Sequence, residues 1–213
     1  MRWLLFTLLI ACAAEPVSNE QPSFSDGGAD TPAVPGMTYR WTFDDELTGP
    51  MAAPWFDVLG DWQIDDGSVV QAARHPNRDF PRVFLEGLQF TDLKMTVKCR
   101  MEFGATDRAC GLVFRGADSD NYYITRANAL EDNVRLYRVV GGSRHELASV
   151  YRIIESDRWY TYEVETIGNR IIVSWGDDRI IDTTDDTFTT GVIGLWTKAD
   201  SITRFDDVTV VAR

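Results

Sequence analysis

Glu163 and Glu165 sit two residues apart in a stretch where they alternate with Tyr160, Tyr162 and Val164. On a strand, positions i and i+2 share a face, about 6.5–7 Å apart at Cα. Two carboxylates facing one cleft could divide acid and nucleophile work between them. The same alternation is how any half-exposed strand reads, and we take the pair as a solvated face. His75 and His145 are the only histidines, and no His-x-x-x-His or Cys-x-x-Cys spacing offers either a second ligand. His75 falls in an irregular loop, Gln71 to Pro81, that could overhang a cleft. Acidic turns recur, and calcium needs six to eight oxygens. Asp44 on the first strand and Asp206 or Asp207 on the last could converge as ligands of one structural calcium. Aspartate is equally a good turn residue, so both readings stand.

Cys12 carries a different chemistry. Arg2 is followed by a short apolar run, Trp3 to Ile10, and then by Leu9-Ile10-Ala11-Cys12. The run is too short for a membrane span and suits a signal peptide. The four residues look like a bacterial lipobox, whose cysteine is acylated and becomes the new N-terminus; an ordinary cleaved signal is the alternative. Residues 1–12 are thus expected to be a lipoprotein signal, with Cys12 the lipidated residue and the lipid the only membrane attachment. Ala13 rather than Asp at the next position implies onward transport to the outer membrane. Residues 13–36, rich in Pro, Ser, Gly and acids, cannot bury enough surface to fold and read as a disordered tether. The net charge of −12 repels polyanions and argues against nucleic acid as a partner.

The folded part is expected over 37–213. Leu93, Met95, Val97, Cys99, Met101 and Phe103 alternate with Lys94, Thr96, Lys98, Arg100 and Glu102, a period of two with one face buried. A dozen or so such short strands, bounded by Gly, Asp and Asn turns, predict an all-β antiparallel sandwich or barrel with little or no helix. The connection at 104–109 reads as a hairpin that sets Phe103 opposite Cys110. Cys99 and Cys110 are then roughly 13 Å apart and cannot bridge. In the next hairpin Ile124, Val134 and Leu136, helped by Tyr122, form the apolar side. Tyr123, Thr125, Arg135 and Tyr137 point the other way, with Tyr123 across from Tyr137. Lys98, Arg100, Val113 and Arg115 are expected to share that outer face.

Four stretches carry a resemblance: GLVFR at 111–115; DNYYITRAN at 120–128 with LEDNVRLY at 130–137; DRWY at 157–160; and GVIGLWTKAD at 191–200 with FDDV at 205–208. Together they resemble concanavalin A-like lectin and glucanase sandwiches. Within these they are most similar to the laminin-G-like, 3-keto-disaccharide hydrolase-type domains of bacterial lipoproteins. The resemblance implies a two-sheet jelly roll whose concave face can take a glycan. Related glucanases carry E-x-D-x-x-E on one strand; here Glu163-Val164-Glu165 is followed by Gly168 where the second Glu should fall, which argues against that mechanism. A sugar site needs rings under the apolar sugar face and planar polar groups for the hydroxyls. Tyr123, Tyr137 and Trp196 could supply the rings, and Arg126, Asn128, Asn133, Arg135 and Lys198 the hydrogen bonds. Core packing for Trp196 and a plain cross-strand tyrosine pair are the competing reading. Three functions follow: glycan binding at the cell envelope, hydrolysis or lysis of modified disaccharides with Glu131 as acid or base, or protein interaction without a small ligand.

Overall fold

The computed structural model describes residues 30–213. Cys12, the signal segment and the expected tether as far as residue 29 lie outside the described residues. Eighteen strands and no helix make up the described chain. The first nine are β1 Thr31–Pro32, β2 Thr38–Trp41, β3 Gly49–Pro50, β4 Trp55–Leu59, β5 Trp62–Asp65, β6 Ser68–Gln71, β7 Arg82–Leu85, β8 Leu88–Gln89 and β9 Leu93–Phe103. The rest are β10 Ala109–Asp118, β11 Asn121–Asn128, β12 Asn133–Val140, β13 Ser143–Tyr151, β14 Trp159–Ile167, β15 Arg170–Trp175, β16 Asp178–Thr184, β17 Val192–Trp196 and β18 Ile202–Ala212.

They form the expected sandwich. One sheet has seven strands in the order β13-β12-β11-β10-β17-β7-β4. The other has nine, β16-β15-β14-β9-β18-β6-β5-β3, with β2 also paired to β18. The alternation that defines β9 decides its burial: Leu93, Met95, Val97, Cys99 and Met101 are all sealed, while Lys94, Lys98 and Glu102 face outward. Phe103, at the strand end, is exposed and lies under the Arg74 guanidinium instead. From the opposing sheet Cys110, Leu112, Phe114, Leu136 and Leu195 close the same core. Each such side chain contributes about 1.5–3 kcal/mol by leaving water.

Three expectations are corrected. Cys99 and Cys110 form a disulfide, with their Cα atoms 6.5 Å apart. Residues 104–108 do not turn a hairpin. They carry the chain from β9 in one sheet to β10 in the other, so the cysteines meet across the sandwich. The β11–β12 hairpin pairs Asn128 with Asn133 and Ile124 with Tyr137, one residue out of the expected register. On β12 the apolar side is as expected, but on β11 it is reversed: Tyr123 and Ala127 enter the core. Lys98 and Arg100 belong to the nine-stranded sheet and do not share the face of Arg135. Arg115 sits at a bulge with φ of 48° and turns inward, donating to the Thr91 carbonyl (2.7 Å), the Gly168 carbonyl (2.8 Å) and Asp92 (2.9 Å).

Residues 30–36, expected within the tether, lie against the sandwich. β1 pairs in parallel with β8, Asp30 accepts from the Gly87 amide at 2.9 Å, and Gly36 donates to the Ala212 carbonyl at 2.8 Å.

Candidate functional site

The seven-stranded sheet has a second apolar cluster on its outward side: Phe84, Val113, Tyr122, Ile124, Tyr137, Val139, Val192 and Trp196. An outer face this apolar needs a cover. Part of it comes from the loop between β6 and β7, where Phe80 stacks on Trp196 with ring centroids 5.5 Å apart. Backbone bonds pin that loop to the end of β17, from Thr197 to the Pro81 carbonyl (2.8 Å) and from Ala199 to the Asp79 carbonyl (3.1 Å). The Gln71–Pro81 loop thus does overhang this face. Arg144, from β13, lies over both Phe80 (4.4 Å) and Tyr137 (5.1 Å).

Beside the rings lies a polar network, built by the β11–β12 turn. The Asn128 side-chain oxygen accepts from the amides of Leu130 (2.8 Å) and Glu131 (3.2 Å), an Asx turn that folds Glu131 back over the sheet. There Glu131 accepts from Arg126 at 2.8 Å and from Asn133 at 3.1 Å. The other arm of the Arg126 fork donates to the Asn133 oxygen at 3.0 Å. Asn128 donates at 2.7 Å to Asp107, which also pairs with Lys198 at 2.5 Å. Arg126 is 2% exposed and Asp107 1%, so these are built-in groups. Gly104 makes room for Asp107: a Cβ there would stand 1.7 Å from the Asp107 carbonyl oxygen, and its φ of +149° disfavours any side chain. Arg135 is held more loosely, 3.4 Å from the Tyr137 hydroxyl, 3.4 Å from Glu146 and 3.8 Å from Glu131.

Donors without a partner on this face include Arg126 Nε, Arg135 Nε and one terminal nitrogen of Arg144. Buried polar groups are normally satisfied, so orphans gathered on one face mark a place for a polar ligand or ordered water. Burial pushes the Asp107 carboxyl up, opposed by Lys198. Burial would also raise Glu131, but the hydrogen bonds and charge of Arg126, with Asn133 and Arg135, outweigh it and hold the group at about 2. Glu131 therefore accepts hydrogen bonds throughout the neutral range and is a poor proton donor or base. Its ordinary value is 4.5, so the stabilisation from these bonds is present above that pH and is lost as pH falls towards 2. A carboxyl-carbon NMR titration should give a midpoint near 2; one near 4.5 would mean that the Arg126 pair does not form.

The structure thus brings together Arg126, Asn128, Glu131, Asn133, Arg135, Tyr137, Trp196 and Lys198. Tyr123 does not belong with them. Its ring stacks on Phe114 in the core at 5.2 Å and its hydroxyl donates to Asp185 at 2.5 Å. Trp196 is fully buried under Phe80, which makes it the floor of the face. Sequence reasoning missed Asp107, Arg144 and Phe80, which come from separate loops and strands. The expected overhang of the 71–81 loop was the one signal that could have found Phe80. Glu163 and Glu165 lie on the opposite sheet, paired with Lys94 (2.9 Å) and Arg213 (2.6 Å), the solvated face their alternation suggested. Of the acids expected at calcium, Asp44 and Asp206 line one cleft, while Asp207 pairs with Lys98 at 2.6 Å. Among the described residues no group of three or more His, Cys, Asp or Glu is placed to hold a metal ion.

Two antiparallel sheets packed face to face, one with an aromatic and polar outer face, define a concanavalin A-like sandwich. Residues 39–211 match the family described as 3-keto-alpha-glucoside-1,2-lyase-like domain, and the chain belongs to it. No curated protein matches the chain. Among solved structures it is similar to the carbohydrate-binding module CBM66 from Bacillus subtilis, with a TM-score of 0.68 and 22% identity over 75% of this chain and 96% of that one. A galectin-like-fold protein from Bacillus subtilis is similar at a TM-score of 0.61 and 16% identity, covering 82% of this chain and 96% of that one. A putative glycosyl hydrolase from Parabacteroides distasonis follows with a TM-score of 0.56 and 10% identity, over 75% of this chain and 88% of that one. At these identities the likeness is one of fold.

Proposed function

We propose that this domain binds a saccharide on the outer face of its seven-stranded sheet, without turning it over. The observation that carries the reading is the Arg126–Glu131–Asn133 network, anchored on the buried Arg126 and Asn133 beside the Tyr137, Phe80 and Trp196 rings with unpartnered donors left over. Planar donors and acceptors beside aromatic surface are what sugar hydroxyls and sugar faces require. A family whose name is a lyase on keto-glucosides, and a fold shared with a carbohydrate-binding module, support the ligand class. Catalysis is disfavoured by the acids present: Glu131 is held at about 2 and Asp107 is sealed behind Lys198 and Asn128.

We further propose that the chain is exported and anchored through Cys12, which sets the domain at the cell envelope, on the outer membrane. The Cys99–Cys110 bridge supports the compartment, because disulfides persist where the surroundings are oxidising. Arg135 is the test residue for the face, being partly exposed and loosely paired. Arg135→Ala should weaken glycan-array binding at least roughly tenfold, the size of a lost charge-assisted hydrogen bond, with stability within about 0.5 kcal/mol of wild type. Unchanged binding would remove this face from the reading. Release of a keto-sugar by the purified protein would replace binding with catalysis.

A further inference from the structure

The opposite side of the molecule has a cleft that the seven-stranded face does not use. It runs across β14, β9, β18 and the start of β6 on the outside of the nine-stranded sheet, and measures about 450 Å³, within the range of small-ligand sites. Trp159 lines it and is 38% exposed, the most exposed tryptophan among the described residues. Four of the others, Trp55, Trp62, Trp175 and Trp196, are buried. A large ring left half in water on a strand gives up the burial that placed the rest.

The polar lining says what would lie on that ring. Its cations are already engaged: Lys98 with Asp207 at 2.6 Å, Arg204 with Asp65 at 2.5 Å and Glu102 at 2.9 Å, and Arg100 with Glu102. An anion would have to displace those partners. The Asp44 and Asp66 side chains, by contrast, make no hydrogen bond or ion pair among the described residues, although both line the cleft. The Arg100 guanidinium lies over the Trp159 ring at 5.3 Å, in the place a ligand cation would take, and the part of the ring that it leaves in water is what a ligand could cover. The free capacity is therefore acceptor oxygen beside an aromatic face: with the cations spent on Asp207, Asp65 and Glu102, the Asp44 and Asp66 carboxylates remain to take hydrogen bonds from hydroxyls. That suits a neutral polyhydroxylated ring.

We infer that this cleft is a second saccharide site, with one sugar ring stacked on Trp159 and its hydroxyls donating to Asp44 and Asp66. It stands on the sheet opposite the Arg126 network and needs no ligand there. Two sites on opposite faces let one molecule bridge two glycan chains.

The Trp159 indole N–H cross-peak, assigned through Trp159→Phe, reports on this site alone. The full chain is titrated with D-glucose, D-galactose, D-mannose, D-fructose and N-acetylglucosamine to tens of millimolar. At least one sugar should move the peak saturably. Asp44→Ala, at an exposed position, should weaken that response roughly five- to tenfold, and Arg135→Ala should leave it intact. A peak that none of the five sugars moves, or a response indifferent to Asp44→Ala, overturns the site. Shifts confined to Arg126, Asn128 and Asn133, with Trp159 still, would overturn it while leaving the function proposed for the other face standing.

Discussion

A protein with Cys99→Ala and Cys110→Ala should melt roughly 6–12 °C below wild type. The bridge joins residues eleven apart in sequence, and closing so short a loop in the unfolded chain is worth about 3 kcal/mol in the chain-entropy account. For a domain of this size each kcal/mol moves the midpoint by about 2–4 °C. Alanine is the right replacement because both positions are fully buried. A serine hydroxyl there would lack a partner and add a separate cost of about 1–3 kcal/mol. Calorimetry of the double variant, set beside wild type with and without a thiol reductant, isolates the constraint. Coincident melting curves for variant and oxidised wild type would show that the two sheets are not tied. The bridge lies at the centre of the sandwich, so its loss lets β9 and β10 part in the unfolded state without removing any strand pairing from the folded one.

Why the sequence argued against that bridge is instructive. Alternation along 93–103 identifies correctly which side of β9 is buried, because burial is a property of one strand and its own period. Which strand lies beside it is a property of the connection. A hairpin and a crossing between sheets both fit a stretch such as Gly104-Ala105-Thr106-Asp107-Arg108. What selects the crossing is Asp200, far along the chain, whose carboxylate accepts from the amides of Ala105 (2.8 Å), Thr106 (3.0 Å) and Asp107 (3.0 Å). No local pattern announces a partner some ninety-five residues away.

The candidate face was legible in its residue types and half legible in its geometry. On β12 Val134 and Leu136 point in and Arg135 and Tyr137 point out, as their chemistry suggests. On β11 every other residue from 122 to 128 reads Tyr, Ile, Arg, Asn, and the residues between read Tyr, Thr, Ala. Ile124 draws the first set towards the core. Arg126 and Asn128 share its parity, however, and burying both against the opposing sheet would leave a charge and an amide without partners. The fold resolves the conflict by placing Ile124 on an outer face that is itself apolar, covered by Phe80 and Trp196. Thr125 then goes inward, where its hydroxyl meets that of Tyr162 at 2.5 Å across the sandwich. A two-faced apolar sheet defeats the rule that the greasier side is the core.

That reversal makes Tyr123→Ala the sharpest test of the register. With the ring fully buried between Phe114 and Phe188, the substitution should cost about 3–5 kcal/mol in urea unfolding, the range for emptying an aromatic site. Were Tyr123 on the outer face, as the one-residue slip would have it, the change would stay within about 0.5 kcal/mol and would act on binding instead. Tyr123→Phe separates ring from hydroxyl. When the phenol is removed Asp185 keeps Arg138 at 2.9 Å and the Thr187 amide at 3.0 Å, but the Phe188 amide loses its acceptor at 3.2 Å, so that variant should lose about 1–3 kcal/mol. Glycan binding by Tyr123→Phe should equal wild type, while Arg135→Ala binds poorly and unfolds normally. The opposite pattern would return Tyr123 to the binding face and move the register by one residue. A period of two permits nothing between, because a strand that slips by one residue exchanges its whole core face for its whole ligand face.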